Sequence, residues 1–177
     1  NEGFHILATL MTFYEPTVKR WSHARHHTHT SMTGVDPEIQ VPRPARIWTV
    51  LIDLFWLRSF YFNLRLIVLH SLGIISEAAQ AYVPESQYSR MIAWSRAYLA
   101  IYLGVVALAI VLESWLPLLF FGLPRLYGGW LHAMLATTQH PGLAQDVWDH
   151  RLNSRTIHPN PVFAFLYVNM QHHMYPM

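Results

Sequence analysis

The sequence predicts an all-α integral membrane protein with a transmembrane hairpin and a histidine-rich cap on its cytoplasmic side. Three observations carry that expectation. Hydrophobic residues make up 53% of the 177-residue chain and charged residues only 12%, whereas soluble domains sit nearer a quarter charged. The run from Ala97 to Leu112 contains no charge at all. Histidines number 12, as many as Lys and Arg together and more than the 10 acidic residues.

Taken in order, residues 1–30 read as helix. Phe4, Ile6, Leu7, Leu10, Met11 and Phe13 are apolar, and Pro16 suits the first turn of a second helical segment. Thr33 to Glu38 and Val41 to Pro44 carry the Gly, Asp and Pro of turns and loops. From Ile47 to Ile75 the pattern is apolar but broken by Asp53, Arg58, Asn63, Arg65 and His70. That composition suits an interfacial or half-inserted helix pair. Ser76 to Ser95 is polar enough for a water-facing, partly helical connection.

A bilayer core about 30 Å thick takes roughly 20 apolar residues to cross, so Ala97–Leu112 with its flanks is the first span. Glu113-Ser-Trp-Leu-Pro117 reads as a tight turn, and Leu118 to Thr138 as the returning span. Arg90 and Arg96 precede this hairpin, and Arg151 and Arg155 follow it. The positive-inside bias puts both flanks in the cytoplasm, so early and late histidines face one surface. A last helix, Val162 to Met170, leads to Gln171-His172-His173. The chain is expected to form one domain over 1–177, as a fragment with sequence missing at both ends, since it starts on Asn1 and stops abruptly at Met177.

Cysteine is absent, which excludes disulfides, thiolate metal sites and a cysteine nucleophile. A net charge of +2 without a basic stripe argues against nucleic acid. Imidazole is the commonest side-chain metal ligand, and three groupings have useful spacing. His23, His26 and His27 share a helical face, and adjacent His26 and His27 diverge by about 100°; that suits two metal ions better than one. The plainer alternative is a basic juxtamembrane helix with Lys19, Arg20 and Arg25. His172 and His173 repeat the doublet at the other end of the chain. Asp146 and His150, spaced four apart, would place a carboxylate and an imidazole on one helical turn. His140, at the close of the second apolar run, is a further candidate ligand or an interfacial anchor. His5, His29, His70, His132 and His158 have no partner at useful spacing and read as structural. Sulfur-free imidazole sites suit Fe, Zn, Cu or Ni, and the candidates exceed the roughly three protein ligands of a catalytic zinc.

Four stretches carry a resemblance: Arg20-Trp-Ser-His-Ala-Arg-His-His-Thr-His-Thr30, Asp36-Pro-Glu-Ile39, Thr138 to Thr156, and Asn169-Met-Gln-His-His-Met-Tyr-Pro-Met177. Over nearly the whole chain it resembles the membrane fatty acid desaturase family, in its bacterial branch. The resemblance implies a helical protein of the bacterial inner membrane with a cytoplasmic di-iron centre held by histidine boxes. It implies O₂ and two electrons, from a ferredoxin or similar donor, spent on placing a double bond in the acyl chain of an acyl-lipid or acyl-carrier substrate. A hydroxylase or monooxygenase on the same scaffold, a catalytically impaired relative and a zinc-dependent membrane hydrolase are the alternatives. By the likeness His23, His26 and His27 match the second box, His150 the histidine of an Asn-x-x-x-His pair, and His172 and His173 the third box. The chain departs from the pattern in three places. The first box is expected upstream of Asn1, Asn169 stands where the third box has its first histidine, and Asp146 stands where the family often has Asn.

Overall fold

The computed structural model describes residues 2–39, 46–130, 140 and 142–154. Among these, every regular element is helical. They form two units, residues 2–21 with 46–130, and residues 22–39 with 140 and 142–154.

The first unit opens with α1, Glu2–Met11. Its inner face is Ile6, Thr9 and Leu10, continued by Phe13 past the helix end, the i, i+3, i+4, i+7 stripe of an amphipathic helix. Phe13 ends the helical stretch with a positive φ of 56°. Helix α2, Pro16–Thr28, starts as the proline predicts. Glu15 caps it: its carboxylate accepts from the amides of Thr17 at 3.1 Å and Val18 at 2.6 Å, two of the donors that every helix start leaves unpaired.

Residues 47–75 form the expected helix pair, α3 (Ile47–Leu54) and α4 (Leu57–Ser71). The break between them is Trp56, buried and in the left-handed conformation, with the Arg125 guanidinium 4.6 Å from its ring centre. Helix α4 packs on α6 (Tyr88–Val111), and Arg96 Nε donates to the Ser71 carbonyl at 2.9 Å. The first core gathers Phe13, Trp56, Ile67, Tyr98 and Tyr102.

The connection from Ser76 to Ser95 is partly helical, as its composition suggests, and most of its side chains are exposed or half-buried. It holds α5 (Glu77–Tyr82), a 3₁₀ turn (Glu85–Gln87) and the first turns of α6. Ala79, Val83 and Met91 are buried with Val18 in a second core. A few apolar residues at helical spacing suffice to bury one side of a short helix while the rest stays polar.

Glu85–Val111 is long and apolar enough to cross a membrane, and among the described residues no other helix is. Its outer positions Ile101, Leu103, Val106, Leu108 and Ile110 are exposed. The expected continuous helix from Leu118 differs. As far as Trp130 the segment is α7 (Leu116–Phe121) and α8 (Pro124–Tyr127). Pro124 cannot continue a preceding helix, because its ring lacks the N–H that the ladder needs.

The second unit holds the end of α2 from Ser22, the 28–39 loop, His140, the 142–149 loop and α9 (His150–Asn153). Asp149 caps α9, its carboxylate accepting from the Arg151 amide at 3.0 Å.

Candidate metal centre

Helical spacing alone brings His23 and His27 together on α2, and the structure sets their Nε2 atoms 3.0 Å apart. That is the length of an N–H···N hydrogen bond, and also the separation of two nitrogens bonded at about 2.1 Å to one ion with an angle near 90°. His26 stands beside them, its ring centre 5.9 Å from each of the other two. His26 and His27 are buried, and the His23 side chain is 40% exposed.

Two carboxylates from the turn after the helix orient these rings. His26 Nδ1 lies 2.8 Å from Asp36 Oδ2, and His23 Nδ1 lies 3.2 Å from Glu38 Oε2. A carboxylate on Nδ1 fixes the tautomer in which Nδ1 carries the proton and Nε2 presents its lone pair, the arrangement typical of metal-binding histidines. Asp36 is itself pinned, accepting from the amides of Ser31 at 2.8 Å and Glu38 at 2.9 Å. Burial pushes its pKa up, but the His26 hydrogen bond and charge and those two amides outweigh it and hold the carboxyl below its usual range. Glu38 also accepts from the Ser22 hydroxyl at 3.1 Å. Sequence reasoning placed Asp36 and Glu38 in a turn and gave them no role.

His140 joins from the other side of the unit, its ring centre 5.2 Å from that of His26. Its Nδ1 donates to the backbone carbonyl of Asn153 at 2.8 Å, which directs Nε2 the other way. Burial, then the neighbouring His26 and His150, lower its pKa, although the Asn153 bond and Asp36 oppose them. The ring is therefore kept neutral, the form that ligates metal.

Asn153, also without a role in the sequence analysis, ties the unit together. Fully buried, it donates from Nδ2 to the carbonyls of Thr30 at 3.0 Å and Val147 at 3.1 Å. Its own side-chain carbonyl accepts from the Ser154 hydroxyl at 3.0 Å.

The expected helical turn from Asp146 to His150 does not form. Asp146 has a φ of +55° and stands outside α9, which starts only at His150. Its carboxylate accepts from the Thr33 amide at 2.7 Å and the Thr33 hydroxyl at 3.0 Å. Two donors from Thr33, 113 residues away in sequence, thus hold the Asp146 carboxylate outside a helical turn. His150 stands at the start of α9, half-buried.

Among the residues read as structural, His5 bonds the Pro16 carbonyl, His70 bonds the Ser76 hydroxyl and His29 bonds the Thr28 hydroxyl. His132, His158, Asn169, His172 and His173 lie outside the described residues. Among the described residues no three His, Asp or Glu side chains converge as a ready metal cage. The donor set nevertheless fits an imidazole-bound metal: the His23 and His27 Nε2 atoms lie at a separation that one ion can span, and the His23 and His26 rings are held through Nδ1 by carboxylates.

No curated protein and no solved structure matches the chain. The family model for fatty acid desaturases matches it over residues 1–177. By that match over its whole length, the chain belongs to the fatty acid desaturase family.

Proposed function

We propose that this protein is a di-iron, O₂-dependent oxidoreductase that introduces a double bond into a fatty acyl chain. Family membership supports an oxidoreductase acting on acyl lipids in a membrane. The single observation that favours a metal centre in this chain is the 3.0 Å approach of His23 and His27 Nε2, beside rings whose Nδ1 atoms are held by Glu38 and Asp36. His23, His26, His27, His140 and His150 are the proposed ligands among the described residues, and His172 and His173 complete the proposed set. Asp146 is the weakest member, because Thr33 already occupies both its oxygens.

Two irons bound there would supply the O₂ activation that removes two hydrogens from the acyl chain, with two electrons from a ferredoxin-like donor. The chain's own residues have a separate task. Asp36 and Glu38 hold protons on His26 and His23 at Nδ1, away from the ligating atoms. The low pKa of His140 keeps that ring from taking a proton in place of a metal. Burial of His26 and His27 limits water at the site. The proposed topology is a hairpin, α6 and the apolar run after it, which sets the histidines on the cytoplasmic face of a bacterial inner membrane. The substrate is an acyl-lipid or acyl-carrier ester.

The test uses the full-length protein purified from membranes. The expected result is bound iron together with O₂-dependent gain of unsaturated acyl chains, both lost in His26→Ala and His27→Ala while membrane insertion persists. Zinc without iron and turnover that ignores O₂ would overturn the proposal. A hydroxylated product in place of the alkene would reassign the reaction on the same centre.

A further inference from the structure

Helix α1 is apolar on more sides than its protein contacts explain. Its inner stripe, Ile6, Thr9 and Leu10, faces the first core. On another side Phe4 is 72% exposed and Leu7 54% exposed, with Ala8 beside them also exposed. Positions 4, 7 and 8 follow the i, i+3, i+4 spacing of one helix face. Between Gly3 and Met11 the only ionisable side chain is His5, which bonds the Pro16 carbonyl. A helix that is apolar all round belongs in a protein core or in lipid, and the outer stripe has no core against it.

What α1 is fastened to identifies the medium. Tyr98 and Tyr102 of α6 reach across and donate to the carbonyls of Ile6 at 2.7 Å and Leu10 at 2.8 Å. Thr9 Oγ1 meets the Tyr98 hydroxyl at 2.9 Å. Both tyrosines lie inside the charge-free run of the spanning helix, and exposed Ile101 and Leu103 lie between and beside them. At the other end of α1, Glu2 bridges Arg20 at 2.7 Å and Arg90 at 2.5 Å. Glu2 pairs with the first turns of α6 and Leu10 with a position three turns further on, so α1 runs parallel to α6. Its charged end is level with the polar start of that helix, and its apolar end is level with the span.

We propose that α1 is inserted in the bilayer alongside α6, with the Phe4–Leu7–Ala8 face against lipid acyl chains and the Glu2–Arg20–Arg90 cluster at the headgroup level. The lipid surface of the protein therefore continues from α6 onto α1. Tyr98 and Tyr102 are the stitches: in a medium without water their hydroxyls need protein acceptors, and the α1 carbonyls provide them.

The test is site-directed nitroxide labelling of the full-length protein in liposomes, aided by the absence of cysteine from this chain. Labels are placed by Phe4→Cys and Leu7→Cys, with Leu103→Cys on α6 as the lipid benchmark and Glu77→Cys on α5 as the aqueous one. All four positions are exposed, so the labels need not disturb the core. The expected result at 4 and 7 is high collision with O₂ and low collision with a water-soluble nickel chelate, as at position 103. Nickel collision matching position 77 would place the face in water. Low collision with both reagents would place it under another protein segment. Either outcome overturns the insertion of α1 and leaves the metal centre untouched.

Discussion

His26 and Asp36 form one buried pair: imidazole Nδ1 lies 2.8 Å from carboxylate Oδ2, with the side chains 6% and 0% exposed. The pair joins the histidine-bearing helix α2 to the turn that follows it, because the same carboxylate receives the amides of Ser31 and Glu38. One side chain thus sets the orientation of a ring and the path of a loop.

Asp36→Asn keeps the volume but replaces an acceptor by a donor facing these N–H groups. Unmade hydrogen bonds to a buried group cost about 1–3 kcal/mol. Loss of a carboxylate that orients a metal-bound histidine costs about 10- to 100-fold in metal affinity. Both a lower unfolding temperature of the apo-protein and weaker iron binding are expected, by calorimetry and by metal titration. Unchanged values for both would remove Asp36 from its positioning role.

The pH dependence of the apo-protein follows from the same group. Asp36 has a folded pKa held below its ordinary value of 3.8, so the folded state binds that proton more weakly than the unfolded state does. Its contribution to stability is present above pH 3.8 and is lost as pH falls through the lower folded value. The stability gap between wild type and Asp36→Asn should therefore narrow on acidification below about pH 4. A gap that is flat or widens there would show that the charge on Asp36 is not what stabilises the fold.

The pairing of His23 and His27 was legible in the sequence, and the reason is local geometry. His23 and His27 had to share a face because helical spacing is fixed by the backbone, and Pro16 marked the start of their helix. The supporting residues were not legible. Asp36 and Glu38 are ten and fifteen residues from the rings they hold, and no periodicity predicts how a loop returns. Asp146 misled for the converse reason. Its spacing to His150 suited a helical turn, but Thr33, far away in sequence, offered two donors and the local backbone went left-handed. In the fold, the charge-free run gave away α6. Trp56 at the break meets Tyr14 and Arg125, both distant in sequence, contacts that composition does not record.

Asn153 is expected to be the least replaceable polar residue of the second unit. Asn153→Asp removes the two Nδ2 donors to Thr30 and Val147 and puts a carboxylate against their carbonyls. The cost should be about 2–4 kcal/mol, from two broken buried hydrogen bonds and a charge without solvent. Hydrogen exchange of the 28–31 and 142–154 segments is the measurement, with faster exchange expected there and no change in α4 or α6. Protection equal to wild type would show that the unit is held elsewhere.

The two longest helices of the first unit before the α6–α7 turn end in the same hydrogen-bond pattern but with different residues at the crucial position. After α4, Gly73 takes φ +81°, its amide bonds the His70 carbonyl at 2.9 Å, and the Ile74 amide bonds the Leu69 carbonyl at 3.0 Å. After α6, Glu113 takes φ +48°, its amide bonds the Ile110 carbonyl at 3.1 Å, and the Ser114 amide bonds the Ala109 carbonyl at 3.0 Å. Both are Schellman endings, where glycine is favoured because a side chain in the left-handed region costs about 1 kcal/mol or more. Glu113 adds an acidic charge at the negative end of the helix dipole. The exchange Glu113→Gly should therefore stabilise the protein by about 1 kcal/mol, raising its unfolding temperature in detergent by roughly 2–4 °C. Gly73→Ala should lower stability by a similar amount, since its Cβ would meet nothing within 4 Å and backbone strain is the only cost. If Glu113→Gly were neutral or destabilising while Gly73→Ala behaved as expected, then the Glu113 side chain would have a stabilising partner in the membrane interface that outweighs its strained backbone.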